Sequence, residues 1–158
     1  MAVARHRFGP QFLVHVAVDS ATEIAAGDAL FLDTDDAKPA ADFTWDTDLA
    51  TTQAAFVNKF LGIAQADHPA NSGAVTNFPV DISPMSVYEM TCASQTHELG
   101  DTLGPDKASG NALISSALEK AVAASSCFRA MRRDASANDK VYVRMQSAYW
   151  GANDAGKQ

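Results

Sequence analysis

Gly27-Asp28-Ala29-Leu30-Phe31-Leu32 opens an apolar run with a Gly-Asp pair, and the same opening returns as Gly100-Asp101-Thr102-Leu103. Outward from the first copy, after an insertion, come Phe60-Leu61-Gly62-Ile63-Ala64-Gln65-Ala66-Asp67 and then the alternating stretch Phe78-Pro79-Val80-Asp81-Ile82. Outward from the second come Cys127-Phe128-Arg129-Ala130-Met131-Arg132-Arg133-Asp134 and then Val141-Tyr142-Val143-Arg144-Met145. Alternation of apolar and polar residues gives a strand one core face and one solvent face. Two pseudo-repeats, about 27–83 and 100–147, thus describe one β-rich unit made by duplication.

The chain has 158 residues, 47% of them hydrophobic, enough for a single domain with a real interior. The reading divides it into an N-terminal arm (1–10), a β-rich domain (11–148) and a C-terminal tail (149–158). A net charge of -7 argues against nonspecific nucleic-acid binding, which needs a positive field along one face. The one dense basic cluster, Arg129, Arg132 and Arg133, is a candidate docking patch for an acidic partner surface. No apolar run approaches the roughly 20 residues of a transmembrane helix, and residues 1–10 lack a signal-peptide core. Synthesis in the cytoplasm is therefore expected, with Cys92 and Cys127 as two buried thiols.

Along the chain, Phe12 to Val18 alternates as a strand, with Val14 and Val16 inward and His15 on the other face. Asp33 to Asp48 reads as a solvated acidic loop. It fails as a hand-type calcium loop because Lys38 stands at the sixth position, where glycine is required. Asp48 is a helix N-cap for a short inserted helix over Leu49 to Lys59. Strands are expected at 60–66, 75–82, 86–92, 128–133 and 140–146, with Asp134 to Asp139 as a tight polar turn. Many short strands with one helix indicate a mainly β fold, a small barrel or sandwich.

Chemistry is sparse. His6, His15, His68 and His97 lack the spacing that puts two imidazoles on one metal. His68 precedes a proline in a turn and is expected to be exposed, and His97-Glu98 to be a solvated turn. There is no phosphate loop and no nucleophile elbow. No residue is assigned a catalytic, cofactor-binding or metal-ligating role, and the protein is expected not to be an enzyme. Tyr149 and Trp150 are candidate interface anchors. Arg5, Arg7 and Phe8 of the arm are candidate contacts to a neighbouring subunit, the arginines meeting its Asp33–Asp36 loop.

The string Pro39-Ala40-Ala41-Asp42-Phe43-Thr44-Trp45-Asp46, with Asp48 to Phe56 and Phe60-Leu61-Gly62-Ile63-Ala64, resembles small head proteins of tailed bacteriophages. So does Glu98-Leu99-Gly100-Asp101-Thr102-Leu103-Gly104-Pro105, followed by Lys107 to Leu113. These are similar to capsid decoration, or cement, proteins, and the likeness spans roughly 27–145. The resemblance implies a small β-barrel or tulip-like domain and no cofactor. It implies binding to the major capsid protein on the outer surface of the mature head, commonly as a homotrimer, hence a virion location and no membrane. The Arg129, Arg132 and Arg133 cluster departs from the plain hydrophobic strand usual there. The runner-up function is a phage-borne β-sandwich module that binds a glycan or host-cell surface.

Overall fold

The computed structural model describes residues 4–150. In chain order it contains β1 (Arg5–Phe8), β2 (Leu13–Val18), β3 (Ala29–Asp33), β4 (Asp36–Pro39), α1 (Leu49–Val57), β5 (Phe60–Ala64) and β6 (Val75–Asp81). There follow β7 (Val87–His97), β8 (Thr102–Lys107), β9 (Leu113–Lys120), β10 (Phe128–Ala130) and β11 (Asp134–Met145). The chain is mainly β, and its strands close two five-membered barrels. The first ring runs β2-β4-β3-β5-β6; the second runs β7-β9-β8-β10-β11, closed by the β7–β9 pairing.

The two rings are the same ring. In each, the first strand lies parallel to the third, Ala17 opposite Asp36 and Thr91 opposite Ala117, and all other pairings are antiparallel. Leu30 pairs with Pro39 on one side and Gly62 on the other, as Leu103 pairs with Lys120 and Phe128. Val80 lies between Val14 and Ala64, as Val143 lies between Tyr88 and Ala130. The duplication thus begins one strand before each Gly-Asp pair, covering 13–81 and 87–145.

The repeated Gly-Asp pair makes the same turn twice. Gly27 and Gly100 have φ of 95° and 90°, where a side chain is disfavoured. The Asp28 carboxylate accepts the Ala25 N–H at 3.0 Å, and the Asp101 carboxylate accepts the Glu98 N–H at 2.9 Å. The glycine N–H groups donate to Ala64 and Ala130, both at 2.8 Å. Each turn therefore pins the start of its second strand to its fourth, which explains why this dipeptide marks the repeat.

The barrels share their interior. Every residue of β5 is buried. Leu61 and Ala64 pack in the first barrel with Val18, Leu30, Phe78 and Val80, while Phe60 and Ile63 join Tyr88, Met90, Phe128, Val141 and Val143 of the second. The Phe60 and Phe128 ring centroids are 5.2 Å apart. Helix α1 covers this junction: Asp48 caps it by accepting the Thr51 N–H at 2.8 Å, and Phe56 packs on Phe31, Phe43 and Phe60.

Several expectations are corrected. The described part of the N-terminal arm is a strand, β1, antiparallel to β7 with Arg5 opposite Glu89. The 33–48 loop contains β4 and a short 3-10 turn at Ala40–Asp42. Residues 134–139 are not a turn but the start of β11, bulged against the extended end of β7. Phe12 is exposed, and Val14 and Val16 are only half-buried. Residues 151–158 of the proposed tail lie outside the described residues.

Candidate functional site

The junction between barrels is organised by one carboxylate. Asp81, at the end of β6, is fully buried. Its Oδ1 accepts the N–H groups of Phe12 at 3.1 Å and Ser83 at 3.0 Å; its Oδ2 accepts the Ser86 hydroxyl at 2.6 Å and the Tyr88 hydroxyl at 2.8 Å. Gln65 and Gln11 donate in turn to the Tyr88 oxygen, at 2.8 and 3.1 Å. Burial and the adjoining Asp81 charge push the Tyr88 hydroxyl far above its ordinary range, so it remains a neutral donor. A buried carboxylate with four donors is fully satisfied and locks the β1–β2 and β6–β7 connections together. The Ser83 hydroxyl donates to the Pro10 carbonyl at 2.8 Å, and that carbonyl also lies 3.2 Å from the Ser86 oxygen as an alternative acceptor. Gly9 sits at φ 90° so close to the Met85 carbonyl that any Cβ there would overlap it.

This rigid connection carries the most exposed apolar side chains of the junction. Phe8, Phe12, Leu13 and Met85 are 54, 53, 47 and 60% exposed. Phe12 meets Trp150 edge-to-face at 5.3 Å, and Trp150 and Tyr149 rest on the first-barrel core. The sequence-derived anchors Phe8, Tyr149 and Trp150 thus lie near this surface; Phe12, Leu13 and Met85 join them unforeseen. Phe12 and Leu13 look like ordinary strand residues, so only the tertiary structure distinguishes them.

The candidate arginines do not act together. Arg7 is paired with Glu89 of its own chain at 2.9 Å, not with an acidic loop elsewhere. Arg132 binds Asp134 at 3.0 Å and lies over the Tyr142 ring at 4.1 Å; Arg133 pairs with Glu98 at 2.9 Å. Within the described chain these ion pairs engage Arg132 and Arg133. Arg129 instead stands opposite Arg144 across β10 and β11. Arg5 is exposed on β1.

Two histidines overturn their expected exposure. His68 is buried, its Nδ1 bonded to the Thr22 carbonyl at 2.7 Å and its Nε2 to that of Gly73 at 2.8 Å. His97 is 0% exposed, closes β7 opposite Asp134, and has no partner on either ring nitrogen. Burial, reinforced by Lys120, holds its pKa below the ordinary value, against the opposing pull of Asp134 and Asp101. These two sites also correspond: Ile24 bridges His68 in the first barrel as His97 bridges Asp134 in the second. Cys92 and Cys127 are buried and unpaired, and burial pushes the Cys92 thiol up to about 11. Among the described residues, no group of three or more His, Cys, Asp or Glu is arranged to hold a metal ion, and no helix is long and apolar enough to cross a membrane.

No known family model matches the chain, and no curated protein is significantly similar to it. The fold defines the chain as a duplicated, mainly β protein of two fused five-stranded barrels, with exposed apolar side chains on the connections at their junction.

Proposed function

We propose that this protein is a capsid decoration protein, which binds the outer surface of a mature phage head and stabilises the shell against the pressure of packed DNA. The observation that carries the reading is the apolar surface of Phe8, Phe12, Leu13 and Met85, held on the connection that Asp81 locks. Exposed apolar side chains on a braced connection suit contact with another protein. The resemblance in sequence to head decoration proteins supplies the partner, the major capsid protein, with self-association into a homotrimer.

The physics is that of a clamp. A protein that binds the expanded lattice and not its precursor stabilises the expanded form by mass action. Many copies act together, so each can bind modestly. The role requires a stiff body and a contact face, with no turnover. A glycan-binding module has less support, because its aromatic ring would have to lie flat beside polar groups. Here Trp150 is engaged edge-to-face with Phe12, and the neighbours Leu13 and Met85 are aliphatic.

The test is cosedimentation of the purified protein with intact mature heads, with unexpanded precursors and with free capsid subunits. Pelleting with mature heads alone, together with a higher temperature of head disruption, is expected. Pelleting with host cells or polysaccharide in place of heads would overturn the reading.

A further inference from the structure

We infer that Arg129 and Arg144 form a clamp for a carboxylate-bearing segment of a protein partner; this rests on the decoration reading and names the chemistry of one of its contacts. The two arginines are directly opposed on β10 and β11, and both are exposed. Like charges placed opposite each other on a sheet repel. Among the described residues Arg129 and Arg144, like Arg5, have no carboxylate within ion-pair distance, whereas Arg7, Arg132 and Arg133 each have one.

The barrel does not require this pair. At the matching register of the first barrel stand Ile63 and Asp81, opposed across β5 and β6. Ile63 and Asp81 are buried at the junction, whereas on the exposed face of the second barrel the same register holds two opposed arginines. An acidic group inserted between them would convert the repulsion into charge-assisted hydrogen bonds.

The site also has depth. The arginines border a cavity of about 350 Å³ lined by Pro84, Ser126, Phe128, Met145 and Gln146. Ser126 and Gln146 add polar groups beside the arginines, while the Phe128 and Met145 side chains turn away into the core. Two cations with polar neighbours fit the carboxylate of an acidic side chain, as on a peptide. A polynucleotide is disfavoured, because its affinity comes from many phosphate contacts and this site offers two cations.

The probes are a short fluorescein-labelled peptide of alternating Glu and Leu, its Gln/Leu counterpart, and an oligothymidylate. Each is titrated by fluorescence anisotropy against the full chain, against Arg129→Gln/Arg144→Gln, and against Arg133→Gln as a surface control. The Glu/Leu peptide should bind best, more weakly as salt rises, and the double variant should lose about tenfold or more in affinity. The Arg133 variant should match the parent. The double variant should melt no lower than the parent, since two exposed like charges are removed.

Equal binding of the Gln/Leu peptide, or an affinity untouched by the double substitution, overturns the inference. So does an oligothymidylate that binds more tightly than the Glu/Leu peptide and competes with it. Cosedimentation of the parent with mature heads separates the two readings. Heads bound, with no peptide selectivity, removes the clamp and leaves the decoration role; peptide selectivity without head binding does the reverse.

Discussion

Tyr88, the second residue of β7, donates its hydroxyl to Asp81, the last residue of β6, at 2.8 Å, and this bond joins the two barrels where the chain passes from one to the other. Asp81→Ala strands three donors, two backbone N–H groups and the Tyr88 hydroxyl, while the Ser86 hydroxyl can turn to the Pro10 carbonyl. Removing one member of a buried, satisfied charged network should cost about 3 kcal/mol or more in chemical denaturation. Tyr88→Phe removes one donor of the four and should cost about 1–2 kcal/mol. It should also change the alkaline limb. The native state holds the Tyr88 proton above the ordinary value of about 10, so it binds more protons than the unfolded chain there. Stability from this group is complete below about pH 10 and falls as pH rises beyond it. The parent should lose stability faster than Tyr88→Phe in that range; parallel curves would contradict this account.

His97 sets the opposite limb. Its pKa is lowered, so between that value and about 6.5 the unfolded chain binds more protons than the folded one. The contribution is complete above about pH 6.5 and is lost as pH falls below it. The matching position in the first barrel is Ile24, which is apolar and buried. His97→Ile should therefore stabilise the protein by about 1–2 kcal/mol, by removing two unpartnered buried nitrogens. It should also flatten the loss of stability as pH falls below about 6.5. Lower stability of the variant at pH 7 would mean that the imidazole has a partner in solution.

The strands that follow the Gly-Asp pairs were legible because a short run with apolar residues comes straight after a turn that favours glycine, and the alternating stretches completed each copy. The helix was legible from Asp48 and the apolar spacing after it. Strand β4 was not, because Asp36-Ala37-Lys38-Pro39 has poor β propensity and is held by pairing with β3. The beginning of β11 was hidden by polar residues that suit a turn equally well; its strand character comes from the long reach of β7. Burial of His68, His97 and Asp81 leaves no local signal. A polar residue looks exposed until its partners are known, and those of Asp81 are the distant Phe12 N–H and three groups of the turn and strand that follow it, Ser83, Ser86 and Tyr88. The Arg129–Arg132–Arg133 cluster failed as a unit because adjacent residues on a strand and its turn face different ways, so each found a different environment.

Duplication does not make the halves independent. Separating residues 1–84 from 85–158 would uncover Phe31, Phe56, Phe60 and Ile63, all buried in the shared core. At roughly 2 kcal/mol for each large side chain, the cost is about 8 kcal/mol. That rivals the whole stability of a typical domain, about 5–15 kcal/mol. Each half expressed alone should lack a cooperative thermal transition, and mixing the halves should restore one. A cooperative melt of either half alone would show that its barrel closes without its twin.

The N-terminal strand offers the sharpest distinction between an arm that serves a neighbour and a part of the fold. Strand β1 lies along the first residues of β7, with β9 taking the same edge further on, so β1 adds to the second ring without closing it. Its side chains hold it in place: Arg7 pairs with Glu89 at 2.9 Å, and the His6 ring meets Tyr88 edge-on at 5.5 Å. Deleting residues 1–8 should leave both barrels closed but remove the strand pairing and the cover over Tyr88, lowering the melting temperature by about 5 °C. Arg7→Ala alone should cost no more than about 1 kcal/mol, as a half-exposed ion pair does. A deletion that leaves the melting temperature unchanged while abolishing self-association would instead restore the view of this segment as an arm that orders only on another subunit.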